Sequence, residues 1–385
     1  MNRREMVRLA ATGGAVALMP RIAAAAQSEV FVARMQLMGP RAVIPVTIGG
    51  KGPYLFLIDT GGFMSLIDDG LAIELGLRKL GKADVRGIGG ATELNRYEAS
   101  DVNLGGLRQS AVSFAGFRDG AFGRNIRGAL ASGIVTELDG DLDFEKGEWR
   151  LYPDGRKERP GFTEVKSEIR KGGSKVGSAH IYAHATIEGE THRFLIDTGA
   201  PGEVQLFPQA VRKTSLWDND RPWAPVRPRG VGGEGHKSRL IRADGLEIGG
   251  IQLPRPLLML NDADKKRDGM ADGIIGLGVL RQLNLSTDTR RGSLWVQKNA
   301  VPPPPRHYAL SGIWIEAKGT QLLVDQVGHG SPAQAAGVAV GDEVLGETFR
   351  PLIAKLAGPP GREVKLRLRR DGAEREVALR LDPYL

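Results

Sequence analysis

The sequence predicts a mainly β chain made of two similar lobes, followed by a smaller α/β module. Residues 56–61 read Phe-Leu-Ile-Asp-Thr-Gly, and residues 194–199 repeat the same six letters. Turn-forming residues recur about every eight to twelve positions through both halves, which is typical of all-β lobes. A run of prolines, Pro302 to Pro305, then separates the last stretch of the chain, and such a run favours a stiff polyproline II spacer.

The repeat extends beyond the hexamer, as an internal duplication requires. Three segments follow each hexamer in the same order: a glycine-rich turn, a second turn centred on Gly-Gly, and a later apolar segment. They are residues 87–90, 104–107 and 128–135 in the first half, and 230–233, 248–251 and 273–280 in the second. The chain is therefore predicted to fold as two copies of one lobe.

Each hexamer is typical of a short buried strand that runs into a tight turn and presents a carboxylate at its end. Two interpretations compete. Either Asp59 and Asp197 cap two independent structural turns, or each lobe supplies one aspartate to a single shared site. The second interpretation is favoured, because a short motif gains meaning when its context also fits, and here the context repeats as well.

Together these features resemble the bacterial retropepsin-like aspartic proteases, over residues 30–300. The resemblance implies that Asp59 and Asp197 form the catalytic pair and that Thr60 and Thr198 form a cross-lobe hydrogen-bond grip. Gly61 and Gly199 would let a backbone N–H approach each carboxylate. The glycine-rich turns correspond to the two flaps of a retropepsin dimer, or else are ordinary hairpin turns; their residues are Gly87, Ile88, Gly89, Gly90, Gly230, Val231, Gly232 and Gly233.

The chemistry implied by this resemblance is hydrolysis of peptide bonds in polypeptide substrates, with no metal and no organic cofactor. Two carboxylates about 3 Å apart cannot both ionise, so one acts as a base toward a shared water while the other hydrogen-bonds the scissile carbonyl. Gly62 and Ala200 stand where pepsin-like enzymes carry a hydroxyl group that stabilises the anion. Both pKa values of the pair should therefore exceed those of pepsin, which predicts a pH optimum of roughly 5 to 6.

One departure from the family pattern bears on activity. The first lobe has Leu130-Ala131 where the second has Ile275-Gly276, and the added methyl group could tilt the first aspartate loop. The rival function is a peptide-binding adaptor whose protease lobes have lost activity, although the presence of both aspartates and both threonines argues against it. A further alternative is an active enzyme that cleaves one regulatory partner rather than proteins in general.

The last stretch resembles a bacterial PDZ domain. Its signature is Ser-Pro-Ala-Gln-Ala-Ala-Gly at residues 331–337, followed by Gly-Asp-Glu-Val at 341–344. Ser331 is predicted to cap a short helix, and residues 349–356 to form the groove helix. The resemblance implies that a peptide's C-terminal carboxylate binds a loop made of Leu310, Ser311, Gly312 and Ile313. The connection before Phe349 is shorter than usual, which would shorten the groove.

The first residues resemble a twin-arginine export signal. Arg3-Arg4 precede an apolar run from Leu9 to Met19 that is too short to span a bilayer, and three alanines, residues 24–26, form a small-residue cleavage site. Cleavage would leave a periplasmic or secreted protein with no membrane span, and the alternative is an uncleaved, anchored signal. The chain has no cysteine, so it contains no disulfide.

Other signals are weaker. The net charge is +8, of which the first 26 residues carry +3, and no basic patch is interleaved with aromatic residues, so nucleic acid binding is not expected. His180 and His184 lie in an alternating run, which indicates solvent-facing strand residues rather than a metal site. The acidic residues 139, 141 and 143 are interpreted as a solvated turn and strand edge.

These observations divide the chain into five parts. We expect a signal peptide at residues 1–26, a first lobe at 27–160, a second lobe at 161–300, a proline-rich linker at 301–306 and a PDZ domain at 307–385. Residues 154–173, rich in charged residues, glycine and proline, are interpreted as the connection between the lobes. We expect the protein to be a monomer.

Overall fold

The computed structural model describes residues 30–87, 90–118, 122–123, 125–171, 177–217, 220–230, 233–261 and 269–385. Most of these residues lie in β-strands, which confirms the prediction of a mainly β chain. The predicted signal peptide lies outside the described residues. None of the helices in the described ranges is long and apolar enough to cross a membrane.

The first lobe, in its described part, consists of short strands and two short helices. In chain order these are β1 (Phe31–Arg34), β2 (Gln36–Met38), β3 (Arg41–Ile48), β4 (Lys51–Ile58), β5 (Ser65–Asp68), α1 (Asp69–Glu74), β6 (Arg78–Gly87), β7 (Gly90–Ala99), β8 (Val102–Leu104), β9 (Leu107–Gln109), β10 (Val112–Phe117), β11 (Ile126–Leu130), α2 (Gly133–Thr136), β12 (Asp139–Asp143) and β13 (Glu148–Tyr152).

The second lobe repeats this order and adds one short strand pair, β20 with β21. Its elements are β14 (Thr163–Val165), β15 (Ser167–Lys171), β16 (Ala179–Ile187), β17 (Glu190–Asp197), β18 (Val204–Leu206), α3 (Pro208–Val211), β19 (Trp223–Val226), β20 (Arg229–Gly230), β21 (Gly233–Glu234), β22 (Ser238–Arg242), β23 (Gly245–Ile248), β24 (Ile251–Pro254), β25 (Leu257–Asn261), β26 (Gly273–Gly276), α4 (Leu277–Leu280), β27 (Leu283–Asp288) and β28 (Ser293–Lys298).

Each lobe contains a ten-stranded sheet, and the two sheets have the same strand order. The first runs β6-β7-β10-β5-β11-β4-β3-β8-β9, with β2 paired to β3. The second runs β19-β22-β25-β18-β26-β17-β16-β23-β24, with β15 paired to β16. The duplication found in the sequence is therefore also a duplication of topology.

Strands β14 and β15 lie within residues 154–173, so the interpretation of that whole stretch as a connection was wrong. Both strands are short and lie at the edge of a sheet. β14 is the outermost strand of one sheet, and β15 pairs with β16 outside the main strand order of another. Edge strands carry charged residues readily, because one side of the strand faces solvent. The polar composition of residues 154–173 therefore hid both strands from the sequence analysis.

A third sheet joins the lobes. Its order is β1-β13-β12-β27-β28-β14, with three strands from each half. The central pairing, which we call the seam, is the antiparallel contact of β12 with β27. One apolar core extends through both lobes and includes Phe56, Trp149 and Phe194, all almost completely buried. The two lobes are thus parts of one body.

Buried aspartates stabilise the seam. Asp139, Asp141 and Asp143 are only 5%, 2% and 7% exposed, so the interpretation of these residues as a solvated turn was wrong. Asp139 accepts hydrogen bonds from the backbone N–H and the hydroxyl of Thr289, both at 2.8 Å, and forms an ion pair with Arg159 at 3.0 Å. A carboxylate is tolerated inside a protein when it is paired in this way. Thr289 lies 150 residues away in sequence, which hid the contact.

The C-terminal module, residues 307–385, has its own five-stranded sheet and its own apolar core. The strand order is sequential, so the first strand lies at an edge. Ser331 caps the first helix, as predicted, by accepting a hydrogen bond from the N–H of Gln334 at 3.2 Å. The elements are β29 (Ile313–Lys318), β30 (Gln321–Val327), α5 (Pro332–Ala335), β31 (Glu343–Leu345), α6 (Phe349–Leu356), β32 (Glu363–Arg370) and β33 (Ala373–Arg380).

Candidate active site

Two strands end side by side and present the predicted aspartates. β4 ends just before Asp59, and β17 ends at Asp197. A second strand lies parallel to each of them, β11 beside β4 and β26 beside β17. The side chains of Asp59 and Asp197 are hydrogen-bonded to each other. The fold therefore brings the two copies of the hexamer to one place.

Thr60 and Thr198 cross-link the two loops behind the aspartates. The hydroxyl of Thr60 accepts a hydrogen bond from the N–H of Thr198 at 3.0 Å and donates one to the Ile196 carbonyl at 2.7 Å. The hydroxyl of Thr198 accepts from the N–H of Thr60 at 3.1 Å and donates to the Ile58 carbonyl at 2.7 Å. Both threonines are fully buried, so these four bonds are shielded from water.

Gly61 and Gly199 are required because each packs against the carboxylate of the other lobe. A Cβ atom on Gly61 would lie 2.2 Å from Cγ of Asp197. A Cβ atom on Gly199 would lie 2.3 Å from Oδ1 of Asp59. Side chains at these positions would force the two aspartates apart.

The surroundings of the pair distinguish the two aspartates. Loss of contact with water, the charge of Asp197 and a hydrogen bond with Asp197 raise the pKa of Asp59 to about 8. Loss of contact with water also raises the pKa of Asp197, but the N–H groups of Ala200 and Gly199 oppose it by donating to Oδ1 at 3.0 and 2.9 Å. The N–H groups of Gly61 and Gly62 lower the pKa of Asp59 in the same way. The hydrogen bond between the two carboxyls, however, raises the pKa of Asp59 and lowers that of Asp197, which favours the proton on Asp59 and the negative charge on Asp197.

Arg41 is a site residue that the sequence analysis missed. Its Nη1 atom donates to the Gly199 carbonyl at 2.7 Å, and its charge acts on both aspartates, lowering the pKa of Asp197. Burial lowers the pKa of Arg41 itself, while the two aspartates oppose that shift. The site therefore contains a cation beside the carboxylate pair.

His180 holds the equivalent place in the second lobe. In the strand pairing, Val43 lies opposite Leu57 of the first hexamer, and Tyr182 lies opposite the equivalent Leu195 of the second. Arg41 precedes Val43 by two residues, and His180 precedes Tyr182 by two residues. His180 hydrogen-bonds the backbone at Gly61 and Gly62, and its Nε2 atom is buried, so its interpretation as solvent-facing was wrong. Burial lowers its pKa. Aligning the two copies by strand register is the signal that would have identified this pair.

The methyl group of Ala131 does not disturb the first loop. The N–H of Ala131 donates to the hydroxyl of Ser65 at 3.0 Å, whereas the N–H of Gly276 donates to the Glu203 carbonyl at 2.8 Å. A Cβ atom on Gly276 would lie 2.4 Å from the carbonyl oxygen of Gly202, a clash that the first loop avoids. The threonine bonds have matching lengths in both directions, so the expected tilt is not observed.

The predicted flaps are hairpins whose tips lie outside the described residues. In the first, β6 pairs with β7 as far as Gly87 and Gly90. In the second, β19 pairs with β22, and β20 with β21 places Gly230 opposite Gly233. The tip residues Ile88, Gly89, Val231 and Gly232 fall outside the described ranges. Their role as flaps stays a prediction.

The loop expected to bind a peptide carboxylate belongs to the C-terminal module. Leu310, Ser311 and Gly312 precede β29, which starts at Ile313. Two of the loop's N–H groups already have acceptors: Gly312 donates to the Ala309 carbonyl at 2.9 Å and Ile313 to the Ser311 hydroxyl at 3.3 Å. Peptide binding there stays a prediction. Within the described residues, no group of three or more His, Asp or Glu side chains is placed to hold a metal ion.

Comparison with known protein families gives a match in each lobe. Residues 44–132 and residues 183–279 both match the family model described as aspartyl protease. No curated protein matches the chain. The first match contains Asp59 and the second contains Asp197. Both lobes are therefore similar to aspartyl proteases, each over the segment that carries its Asp-Thr-Gly loop.

Proposed function

We propose that the chain is an aspartic endopeptidase that hydrolyses peptide bonds with a water molecule activated by Asp59 and Asp197. The observation that carries the proposal is the hydrogen-bonded carboxylate pair, one partner from each lobe, held by the reciprocal threonine bonds. The family match of both lobes supports it. The substrates are polypeptides bound between the lobes and the two hairpins.

In this proposal the two aspartates have different starting states. Ionised Asp197 takes a proton from the water, and the water oxygen attacks the scissile carbonyl carbon. Asp59 gives its proton to the carbonyl oxygen, which forms a tetrahedral diol. When the C–N bond breaks, Asp197 returns its proton to the departing nitrogen and Asp59 recovers one from a diol hydroxyl. The raised pKa of Asp59, about 8, is what supports its assignment as the acid.

We further propose that the enzyme is exported by the twin-arginine route to the periplasm or the exterior, where it acts as a monomer. The basis is the sequence of residues 1–26. The C-terminal module is proposed to be a PDZ domain, on the basis of its Ser331 to Gly337 signature and of helix α6 at the expected place. A peptide carboxylate at residues 310–313 would have to compete with the bonds already made inside that loop.

The decisive experiment is cleavage of a peptide library by the wild-type protein and by Asp59→Asn, Asp197→Asn and the double variant. Since the pair acts as one unit, each single change should abolish nearly all cleavage, and the double change should be little worse. Asp101→Asn, in a turn of the first lobe outside the site and with a side chain 46% exposed, is the control. Substantial cleavage by a folded Asp59→Asn protein would refute a shared site. Absence of cleavage by wild type would favour the adaptor function.

A further inference from the structure

The C-terminal module and its linker contact the second lobe at two places that border the candidate active site. One contact lies beside the loop that carries Asp197. The other lies on the arms of the second hairpin. The chemistry proposed above assigns no role to either contact.

The first contact joins the linker to the aspartate loop. Arg306 binds the carboxylate of Glu203 at two points, Nε to Oε1 at 2.8 Å and Nη2 to Oε2 at 3.2 Å. Glu203 is 7% exposed, and its Oε2 atom also accepts from the N–H of Leu257 at 3.2 Å. A buried carboxylate with a bidentate arginine partner has little freedom to move.

Glu203 lies at the end of the loop that starts at Asp197, and the loop is bonded to its surroundings along its length. The carbonyls of Ala200, Gly202 and Glu203 accept hydrogen bonds from successive N–H groups of residues 276–278, at 2.8 to 2.9 Å. Arg306 therefore anchors the far end of a loop whose near end holds a carboxylate of the pair. The first loop is held by the two lobes themselves: the Ser65 hydroxyl accepts from the N–H of Ala131 at 3.0 Å, and the N–H of Ser178 in the second lobe donates to the Phe63 carbonyl at 3.0 Å.

The second contact joins β30 to the second hairpin. Asp325 binds a basic residue on each side of that hairpin, Arg227 at 2.9 Å and Lys237 at 2.7 Å. Arg227 follows β19 and Lys237 precedes β22, so one carboxylate spans both arms. The guanidinium of Arg227 also lies over the Trp314 ring of β29, at 5.3 Å from its centre. Asp325 and Arg227 are both about 15% exposed, so water screens this pair little.

The start of β19 is fixed by backbone contacts as well. The N–H of Trp223 donates to the His329 carbonyl at 3.1 Å, and the Trp223 carbonyl accepts from the Tyr384 hydroxyl at 3.4 Å. Gly328 permits this approach, because a Cβ atom there would lie 2.2 Å from the carbonyl oxygen of Trp223.

The first hairpin is stabilised differently. Its described ion pairs, Arg78 with Glu98 and Lys82 with Glu93, link its own two strands and are exposed to water. The contacts to the module therefore make the two halves of the site unequal, although their topology is the same.

We propose that the C-terminal module positions the second half of the active site, with Arg306 fixing the Asp197 loop through Glu203 and Asp325 fixing both arms of the second hairpin. These are positioning residues, and they touch neither substrate nor the reacting atoms. The inference rests on the proposed protease function, and it gives the module a role that needs no peptide ligand.

The test uses full-length variants and short peptide substrates. Arg306→Gln should lower kcat with little change in KM, because it loosens Asp197. Asp325→Asn should raise KM, because it frees the hairpin arms. We expect kcat/KM to fall at least about fivefold in each case, the lower end of typical coupling between sites. Arg369→Gln, which breaks exposed ion pairs elsewhere in the module, is the matched control and should leave kcat/KM unchanged.

Two further measurements keep the test decisive. The double variant Glu203→Gln, Arg306→Gln leaves no buried charge without a partner. A lower kcat in this variant therefore reports lost positioning of the Asp197 loop and not unfolding caused by an unpaired charge. Hydrogen exchange of residues 223–227 and 237–242 should rise in Asp325→Asn and in Gly328→Ala but not in the control. Hydrogen exchange is also measured in the Asp59→Asn background, which requires no cleavage. This measurement therefore tests positioning of the hairpin by the module even if the protein proves not to be a protease. Unchanged exchange and unchanged kcat/KM in these variants would overturn the proposal.

Discussion

Thr60 and Thr198 hold each other's loops with equal bonds: each hydroxyl accepts the other residue's N–H, at 3.0 and 3.1 Å, and donates to a carbonyl of the opposite strand at 2.7 Å. The same residue type, at the same place in both copies of the hexamer, therefore makes one shared hydrogen-bonded structure. Removing either hydroxyl breaks two bonds to the opposite lobe.

Replacement of Thr60 by valine should destabilise the protein and abolish most activity. Valine keeps the shape but leaves the N–H of Thr198 and the carbonyl of Ile196 buried without a partner. We expect a loss of about 2 to 6 kcal/mol in the free energy of unfolding, about 1 to 3 kcal/mol for each group. Thr60→Ser keeps the hydroxyl and is the control. Equal stability of the valine and serine variants, measured by urea unfolding, would show that these bonds contribute nothing.

The rate should show a bell-shaped pH dependence whose alkaline limb lies near pH 8. Activity requires Asp59 protonated and Asp197 ionised, and the pKa of Asp59 is raised to about 8 by burial and by Asp197. The optimum should therefore lie above that of pepsin, in agreement with the argument from Gly62 and Ala200. A kcat/KM profile with its maximum below about pH 3.5 would contradict this assignment, because the pepsin pair titrates near 1.5 and 4.7.

A hydroxyl group added at position 200 should shift the bell toward acid. Ala200→Ser can donate a hydrogen bond to Asp197 and so stabilise its anion. The corresponding change at Gly62 is a poor test, because a Cβ atom there would lie 2.9 Å from Oδ2 of Asp59. Ala200→Val adds bulk without a donor and is the control. An acid limb that stays in place in a folded, active Ala200→Ser protein would show that other groups set the pKa of Asp197.

Loss of the Arg41 charge should move the acid limb upward. Arg41 lowers the pKa of Asp197, so Arg41→Gln should raise it, and less of the enzyme should be active at low pH. His180→Gln, at the equivalent place in the other lobe, should not produce this shift, because burial favours the neutral imidazole. Equal shifts in the two variants, read from kcat/KM profiles, would rule out the charge of Arg41 as the cause.

Asp59 should limit stability at alkaline pH. Its pKa is near 3.9 in an unfolded chain and about 8 in the folded protein. A carboxyl with a raised pKa contributes its full stability below its unfolded value and loses it as pH rises toward the folded value. Asp59→Asn cannot ionise, so it should exceed wild type in Tm by more at pH 8 than at pH 4. An equal Tm difference at both pH values for Asp59→Asn would disprove the linkage.

Sequence reasoning identified what repetition makes visible. The duplicated hexamer located Asp59 and Asp197, and turn spacing indicated the β lobes. Arg41 escaped notice because its counterpart is His180, so the two copies differ in chemistry at that place. The buried Asp139 escaped for another reason, since its partner Thr289 is 150 residues away. The docking of Asp325 onto Arg227 and Lys237 joins segments with no shared motif, so only tertiary structure reveals it.

The seam between β12 and β27 has a mechanical consequence. Hydrogen-bonded strands continue from one half of the chain into the other, so the two lobes share one sheet. A rigid-body rotation that separates the lobes would have to break the pairing of β12 with β27. In the proposed protease, with the two hairpins as the predicted flaps, admission of a polypeptide then depends on those hairpins. Because the ion pairs of Asp325 hold one hairpin against the C-terminal module, the proposal assigns opening to the other hairpin, built from β6 and β7.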